Sequence, residues 1–177
     1  INNSELPFLN KLSNSSNLIS EANFEEVTLN NNMKSNLTII ELKNYNRKVT
    51  YDLPILPSPN LPNRKSINLY PSLCLFEGTN VSAGRGTEMQ FQIYGSPYLN
   101  KEKNNFRFIP KKNSGSKYPK HENLLCYGKN LSENKKLDKF DLSFLLNAYS
   151  DTNDKQNFFN NYFDKLAGTN SLKNQII

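Results

Sequence analysis

Between Leu69 and Phe76 an apolar run delivers a carboxylate, Glu77. The chain then passes into a polar loop punctuated by Gly78, Gly84 and Gly86 around Arg85. The apolar run can anchor one side in a core. The glycines permit positive φ in a tight turn, or let backbone N–H groups approach a ligand closely. A fixed carboxylate, a nearby guanidinium and the small hydroxyls of Thr79, Ser82 and Thr87 make a surface suited to a polar, many-hydroxylated substrate.

A second constraint lies upstream. Leu53 to Pro62 holds Pro54, Pro57, Pro59 and Pro62. Each proline removes a backbone donor and pushes its predecessor towards extended geometry, so the segment is an extended crossing and belongs to neither helix nor sheet. It reads as a stiff connector or as the rigid wall of a cleft.

The remaining pattern predicts an α+β chain: a small, mainly antiparallel sheet with C-terminal helices on one face. Leu37-Thr-Ile-Ile-Glu-Leu42 reads as a buried strand. Ser66–Glu77 reads as a short helix with Pro71 near its start and Gly78 at its end. Met89–Tyr94 alternates apolar and polar residues as a half-buried strand, and Gly95-Ser-Pro97 turns it. Phe106–Pro110 is a second strand, and a third begins at Leu124. Leu137–Tyr149 and Gln156–Leu166 carry apolar residues at helical spacing. Gly168 ends the second of these helices, and Thr169 can cap a last one. The aromatic stripes read as core. Residues 1–35, rich in Asn and Ser, form a poorly specified lead-in or the remnant of a preceding domain, with a short helix or strand over Glu21–Leu29; 36–177 form the main domain.

At 177 residues there is room for one sizeable core. No apolar run approaches membrane-spanning length. The N-terminus has no initiator Met and no signal-peptide core, which reads as a processed product or a fragment. The net charge of +6 admits a nucleic-acid or other anionic partner. The basic residues are scattered and mostly Lys, which reads instead as a solvated surface. Cys74 and Cys126 are either two buried thiols or one disulfide, and neither has metal-ligand spacing with His121, the single histidine. The glycine loop matches neither the P-loop nor the dinucleotide-binding pattern, and no Ser-His-Asp or Cys-His arrangement is supported.

The stretch Tyr70-Pro-Ser-Leu-Cys-Leu-Phe-Glu-Gly-Thr-Asn-Val-Ser-Ala-Gly-Arg-Gly-Thr87 resembles the signature of the NamZ (YbbC-like) exo-β-N-acetylmuramidases. Pro57-Ser-Pro-Asn-Leu-Pro62, Tyr94-Gly-Ser-Pro97, Lys117-Tyr-Pro-Lys-His121 and Lys165-Leu-Ala-Gly-Thr169 are similar to other segments of that family, in the same order. The resemblance runs from about Asn36 to the C-terminus. It implies a domain that packs, in the family, against a Rossmann-like N-terminal half with the active cleft between the two. It also implies a glycosidase that releases N-acetylmuramic acid from the non-reducing end of peptidoglycan fragments without metal or cofactor, in the cell envelope, periplasmic or secreted. The family's proposed catalytic carboxylate lies in a Glu-His-Gly-like motif of the N-terminal half, and this chain has no such motif. The expected role is therefore a substrate-binding wall; a non-catalytic carbohydrate-binding module of the cell envelope is the alternative.

Glycoside hydrolysis usually needs two carboxyl groups. Glu77 is the first candidate acid, since an apolar approach can desolvate it and raise its pKa. It can equally be a structural carboxylate that pairs with Arg85. Glu88, Glu122 and Asp52 are further carboxylates near motif positions. Arg85 can clamp the lactyl carboxylate of a muramyl sugar, or brace the loop. Asn80, Thr79 and Ser82 can bond sugar hydroxyls and the acetamido group, or their own backbone. Tyr118 can stack on a sugar ring and His121 can donate to it; both also suit a surface loop.

Overall fold

A computed structural model of the protein describes residues 38–41, 43–44 and 51–177. The lead-in expected over 1–35, with its short element at Glu21–Leu29, lies outside them. Every element named below belongs to the unit Pro54–Ile177.

The architecture is α+β. Helix α1 spans Arg64–Leu73 and tightens into a 3-10 turn over Cys74–Gly78. Strands β1 (Ile93–Ser96), β2 (Phe106–Phe108) and β3 (Cys126–Asn130) form an antiparallel sheet in the order β1-β3-β2. Helices α2 (Ser143–Asp151), α3 (Phe163–Ala167) and α4 (Ser171–Ile176) follow. Leu69, Leu73 and Phe76 enter the core from α1 and its 3-10 extension, and meet Ile93 and Tyr94 of β1, Leu145 of α2, and Phe158 and Phe163. Phe76 stacks on Tyr94 at 4.9 Å.

Helix α1 starts two residues before the expected Ser66 because Asn63 caps it. The Asn63 side chain accepts from Ser66 N at 2.9 Å, and Ser66 Oγ accepts from Asn63 N at 3.3 Å. Pro71 consequently lies in the second half of the helix, where it leaves the Ile67 carbonyl without its usual donor.

The other differences from the sequence pattern share one cause: hydrogen bonds from distant segments replace local ones. The Leu137–Tyr149 helix begins only at Ser143. Ahead of it, Asn68 of α1 bonds both Leu137 N and Leu137 O at 2.8 Å, and Ser72, one turn further along α1, accepts from Asp141 N at 2.9 Å. These bonds hold the segment against α1 in place of its own helical bonds. The Gln156–Leu166 helix shortens to Phe163–Ala167 because Phe158 O accepts from Asn80 N at 2.7 Å and Asn160 N donates to Gly78 O at 2.9 Å. In the Met89–Tyr94 segment only Ile93 and Tyr94 are in a strand. Phe91 sits at φ 52° with its N–H on Ala83 O, and Gln90 and Gln92, expected to face water, are buried.

The strand expected over Leu37–Leu42 is not formed over Thr38–Glu41, where Ile39 and Ile40 are 73% and 89% exposed. A β-branched run makes a strand only where a partner and a covering face exist. The proline-rich segment crosses without regular structure, as its composition requires. Thr169 does not sit at the cap position of α4; Asn170 does, although Thr169 Oγ1 accepts from Ser171 N at 3.1 Å. Cys74 and Cys126 are both free thiols, and burial raises both pKa values, that of Cys126 to about 12. Among the described residues no helix is long and apolar enough to cross a membrane.

Gly95 of β1 lies opposite Gly128 of β3, and a Cβ on Gly128 would fall 1.8 Å from the Tyr94 carbonyl oxygen. Gly128→Ala must therefore push the two strands apart. We expect it to cost roughly 1–3 kcal/mol, as overpacking does, read as a lower urea midpoint with an unchanged slope.

Candidate functional site

The chain between the 3-10 turn and β1 is buried but irregular. Its backbone carbonyls cannot be satisfied by a ladder and must find partners elsewhere. They find them in three segments. Lys120 Nζ donates to the carbonyls of Phe76 at 2.8 Å, Val81 at 3.0 Å, and Thr79 between them. Asn160 donates from its side chain to Glu77 O at 3.1 Å and from its backbone to Gly78 O. His121 Nε2 lies 2.6 Å from Asn80 O. A carbonyl only accepts, so Nε2 carries the proton in this neutral tautomer. Gly95 and Ser82 exchange both backbone bonds at 2.8 and 2.9 Å.

This turn presents Glu77 to Arg85. Arg85 Nη1 lies 3.2 Å from Glu77 Oε2, and both side chains are about one-third exposed. At that exposure the pair contributes about 0–1 kcal/mol to stability. Its importance is placement. One cavity of about 180 Å³ is lined by Glu77, Arg85, Ser82, Ser116, Tyr118 and Lys120. A second, of about 350 Å³, is lined by the same Glu77 and Arg85 with Tyr70, Phe91, Tyr162 and Asn60. The ion pair is common to both walls. Asn60 comes from the proline-rich crossing, which thus serves as a wall of the larger cavity.

Gly86 closes the loop against the basic segment. It holds φ 81°, and a Cβ there would lie 2.5 Å from Pro119 Cβ and 2.8 Å from Lys111 O. Its carbonyl accepts from Lys111 N at 2.7 Å. This contact docks Pro119, and with it Lys120, against the glycine loop.

The structure thus gathers Glu77, Ser82, Arg85 and Tyr118 around one cavity. Tyr118 is 85% exposed, with Lys112 Nζ 5.6 Å from its ring centre. Asn80 and His121 meet each other. His121 adopts φ 60°, a left-handed conformation uncommon outside glycine. Its pKa is lowered, chiefly by burial, with the Asn80 carbonyl opposing the shift and Lys120 adding to it. Asn80 Oδ1 and Nδ2 are buried without a protein partner, as is Arg85 Nε. Thr79 is 1% exposed, and its hydroxyl serves the turn, donating to Phe76 O at 2.9 Å and accepting from Val81 N at 3.1 Å. Ser82 Oγ accepts from Gly84 N at 3.2 Å. Of the other carboxylates, Glu122 lies 3.8 Å from Lys112 Nζ. Among the described residues no group of three or more His, Cys, Asp or Glu side chains is placed to hold a metal ion.

Sequence reasoning missed Lys120, Tyr70 and Tyr162. The signal for Lys120 was its place in Lys117-Tyr-Pro-Lys-His121, but nothing local shows that a lysine will point inward. Burial lowers its pKa from 10.5 to about 8; Glu77 opposes the shift and Arg85 adds to it.

By fold this is a small α+β domain whose polar concave surface centres on one ion pair. Residues 68–177 match the family described as "Exo-beta-N-acetylmuramidase NamZ, C-terminal", and the chain belongs to that family. It is 32% identical over 161 residues to the peptidoglycan beta-N-acetylmuramidase NamZ of Bacillus subtilis (strain 168), covering 80% of this chain and 39% of that protein. It is also similar to the crystal structure of a DUF1343 family protein from Bacteroides fragilis, at 45% identity and a TM-score of 0.69, covering 76% of this chain and 38% of the other. The chain therefore spans about two-fifths of the length of these relatives.

Lys120→Met removes one side chain and orphans two buried carbonyls, those of Thr79 and Val81, while Phe76 O keeps Thr79 N and Thr79 Oγ1. It should cost roughly 1–3 kcal/mol near pH 7, the penalty of buried acceptors left unmade. The pH dependence has a defined sign. Below pH 8 the folded and unfolded chains both hold the Lys120 proton. Between about 8 and 10.5 the unfolded chain binds more protons, so the Lys120 contribution to unfolding free energy rises with pH. The stability gap between the wild type and Lys120→Met, measured by urea unfolding, should be flat from pH 6 to 7.5 and widen above 8.

Proposed function

We propose that this chain is the substrate-binding portion of an exo-β-N-acetylmuramidase that releases N-acetylmuramic acid from the non-reducing end of peptidoglycan fragments. Such an enzyme works in the cell envelope, periplasmic or secreted, where its substrate lies. The carrying observation is the Glu77–Arg85 pair shared by two adjoining cavities in a domain of this family.

Arg85 is the group for the lactyl carboxylate. A guanidinium has five donors in a planar fork; Glu77 engages one nitrogen, and the buried Nε has no protein partner. Glu77 holds Arg85 in place and accepts from sugar hydroxyls. The principal acid of the reaction belongs to the family's other half. Tyr118 offers a ring for stacking. Ser82 lines the cavity, while Thr79 and His121 act by shaping and bracing the turn that carries Asn80. No cofactor enters this reading.

N-Acetylmuramic acid and N-acetylglucosamine differ by the lactyl group, which makes the pair a direct test. Calorimetry on the full chain should show preference for the muramyl sugar. Arg85→Ala should lose about 10- to 100-fold in affinity for it, the worth of a charge-assisted hydrogen bond, and little for N-acetylglucosamine. Equal affinity for the two sugars would overturn the reading. Binding by the intact natural protein with no release of N-acetylmuramic acid would support a non-catalytic cell-envelope carbohydrate-binding module instead.

A further inference from the structure

We propose that the loop between β2 and β3 docks on an anionic lipid surface, with Ile109, Leu124 and Leu125 entering the headgroup boundary and Arg107, Lys111 and Lys117 facing lipid phosphates. Lysines occur along the whole chain, but the net charge does not. Residues 101–129 hold eight Lys and Arg side chains against two acidic ones, Glu102 and Glu122; the rest of the chain holds fourteen of each sign and is neutral. The charge of +6 is therefore a property of one segment. Among the described residues Arg107, Lys111 and Lys117 form no ion pair, whereas Lys112 lies 3.8 Å from Glu122. All three unpaired cations are exposed, and the Arg107 guanidinium lies 5.8 Å from the centre of the Tyr127 ring.

Apolar side chains stand among these cations. Ile109 is 45%, Leu124 51% and Leu125 41% exposed. Phe108 pairs with Cys126, so Ile109 leaves one strand where Leu125 enters the other. Asn123 N donates to Pro110 O at 2.8 Å, which brings Leu124 to the same end of the strand pair. The loop backbone is held from beneath. Pro110 and Pro119 are buried, Lys111 N donates to Gly86 O at 2.7 Å, and Asn60 Nδ2 donates to Gly115 O at 2.7 Å. The loop is thus fixed on the domain while its aliphatic and cationic side chains face water. A surface that is only cationic suits any polyanion. One that adds uncovered aliphatic side chains suits a lipid interface, where burial of apolar area adds to the attraction of basic residues for anionic headgroups. The same loop reaches the smaller cavity through Ser116, Tyr118 and Lys120, so docking would hold that cavity near the bilayer. The docking does not depend on what the cavity binds.

Cosedimentation of the full chain with vesicles tests it. At low salt the chain should bind vesicles of phosphatidylglycerol and phosphatidylcholine in equal parts, and not those of phosphatidylcholine alone. High salt should release most of it, because exposed charges are screened. Each Lys or Arg at such a surface is worth about fivefold in partitioning, so Lys111→Gln with Lys117→Gln should weaken binding about 25-fold. Lys135→Gln with Lys136→Gln makes the same change in net charge on exposed lysines outside the segment, and should leave binding close to wild type. Ile109→Gln with Leu124→Gln should lose about tenfold, the worth of two half-exposed aliphatic side chains, with thermal unfolding checking that each variant folds. Failure to bind the anionic vesicles at low salt would overturn the proposal, as would equal losses from the two lysine pairs. A soluble phosphodiester polymer, single-stranded oligothymidylate, separates lipid from polyanion. If it displaces the vesicles fully and the Ile109 and Leu124 changes cost nothing, the segment is a general polyanion site and the lipid assignment falls.

Discussion

A buried loop without a ladder must satisfy its carbonyls one by one. From Phe76 to Ser82 every carbonyl has a donor, and the donors come from Lys120, His121, Asn160 and Gly95. These residues belong to the basic loop, the segment before α3 and the first strand. The loop therefore pulls the sheet, the C-terminal segment and the basic loop onto the end of α1. A lysine is suited to this place because it delivers three donors to one point from a flexible stem. An arginine would spread its donors over a plane.

That hub explains why an ordinary ion pair matters. At one-third exposure Glu77 and Arg85 hold each other only weakly. Their geometry is set by the backbone on either side: Glu77 by the tied turn, and Arg85 by Gly84 and Gly86, which bend the chain back towards β1 and let Pro119 close in. A weak pair on a rigid frame remains free to exchange partners with a ligand. A strong buried pair would resist that exchange.

The two cavities differ in character. The smaller is faced by Arg85 and Lys120 against Glu77, so it has a cationic bias. The larger adds Tyr70, Phe91 and Tyr162, which offer aromatic surface, and the proline-rich crossing stiffens its rim. Because one ion pair belongs to both walls, a group bound on one side and a group bound on the other would feel the same guanidinium. That arrangement suits a ligand whose carboxylate and sugar ring must be read together.

The sequence by itself determined the hydrophobic run into Glu77, the glycine loop around Arg85, the irregular proline crossing, the α+β class and the family signature. Each depends on local chemistry: apolar spacing, positive-φ demand, missing donors. Asn63 could have been read as a cap from its spacing to Ser66. What only the tertiary structure decided were the ends of the long helical patterns and the role of Lys120. Leu137–Leu142 and Gln156–Tyr162 have helical periodicity, but Asn68, Ser72 and the Phe76–Ser82 turn offered their backbone partners from 69 to 83 residues away. Lys120 is one lysine among many in a basic chain, and only the convergence of three distant carbonyls distinguishes it from the rest. Periodicity records which residues can share a face; which backbone groups find which partners is settled by packing, because an unpaired buried carbonyl costs more than a turn of helix returns.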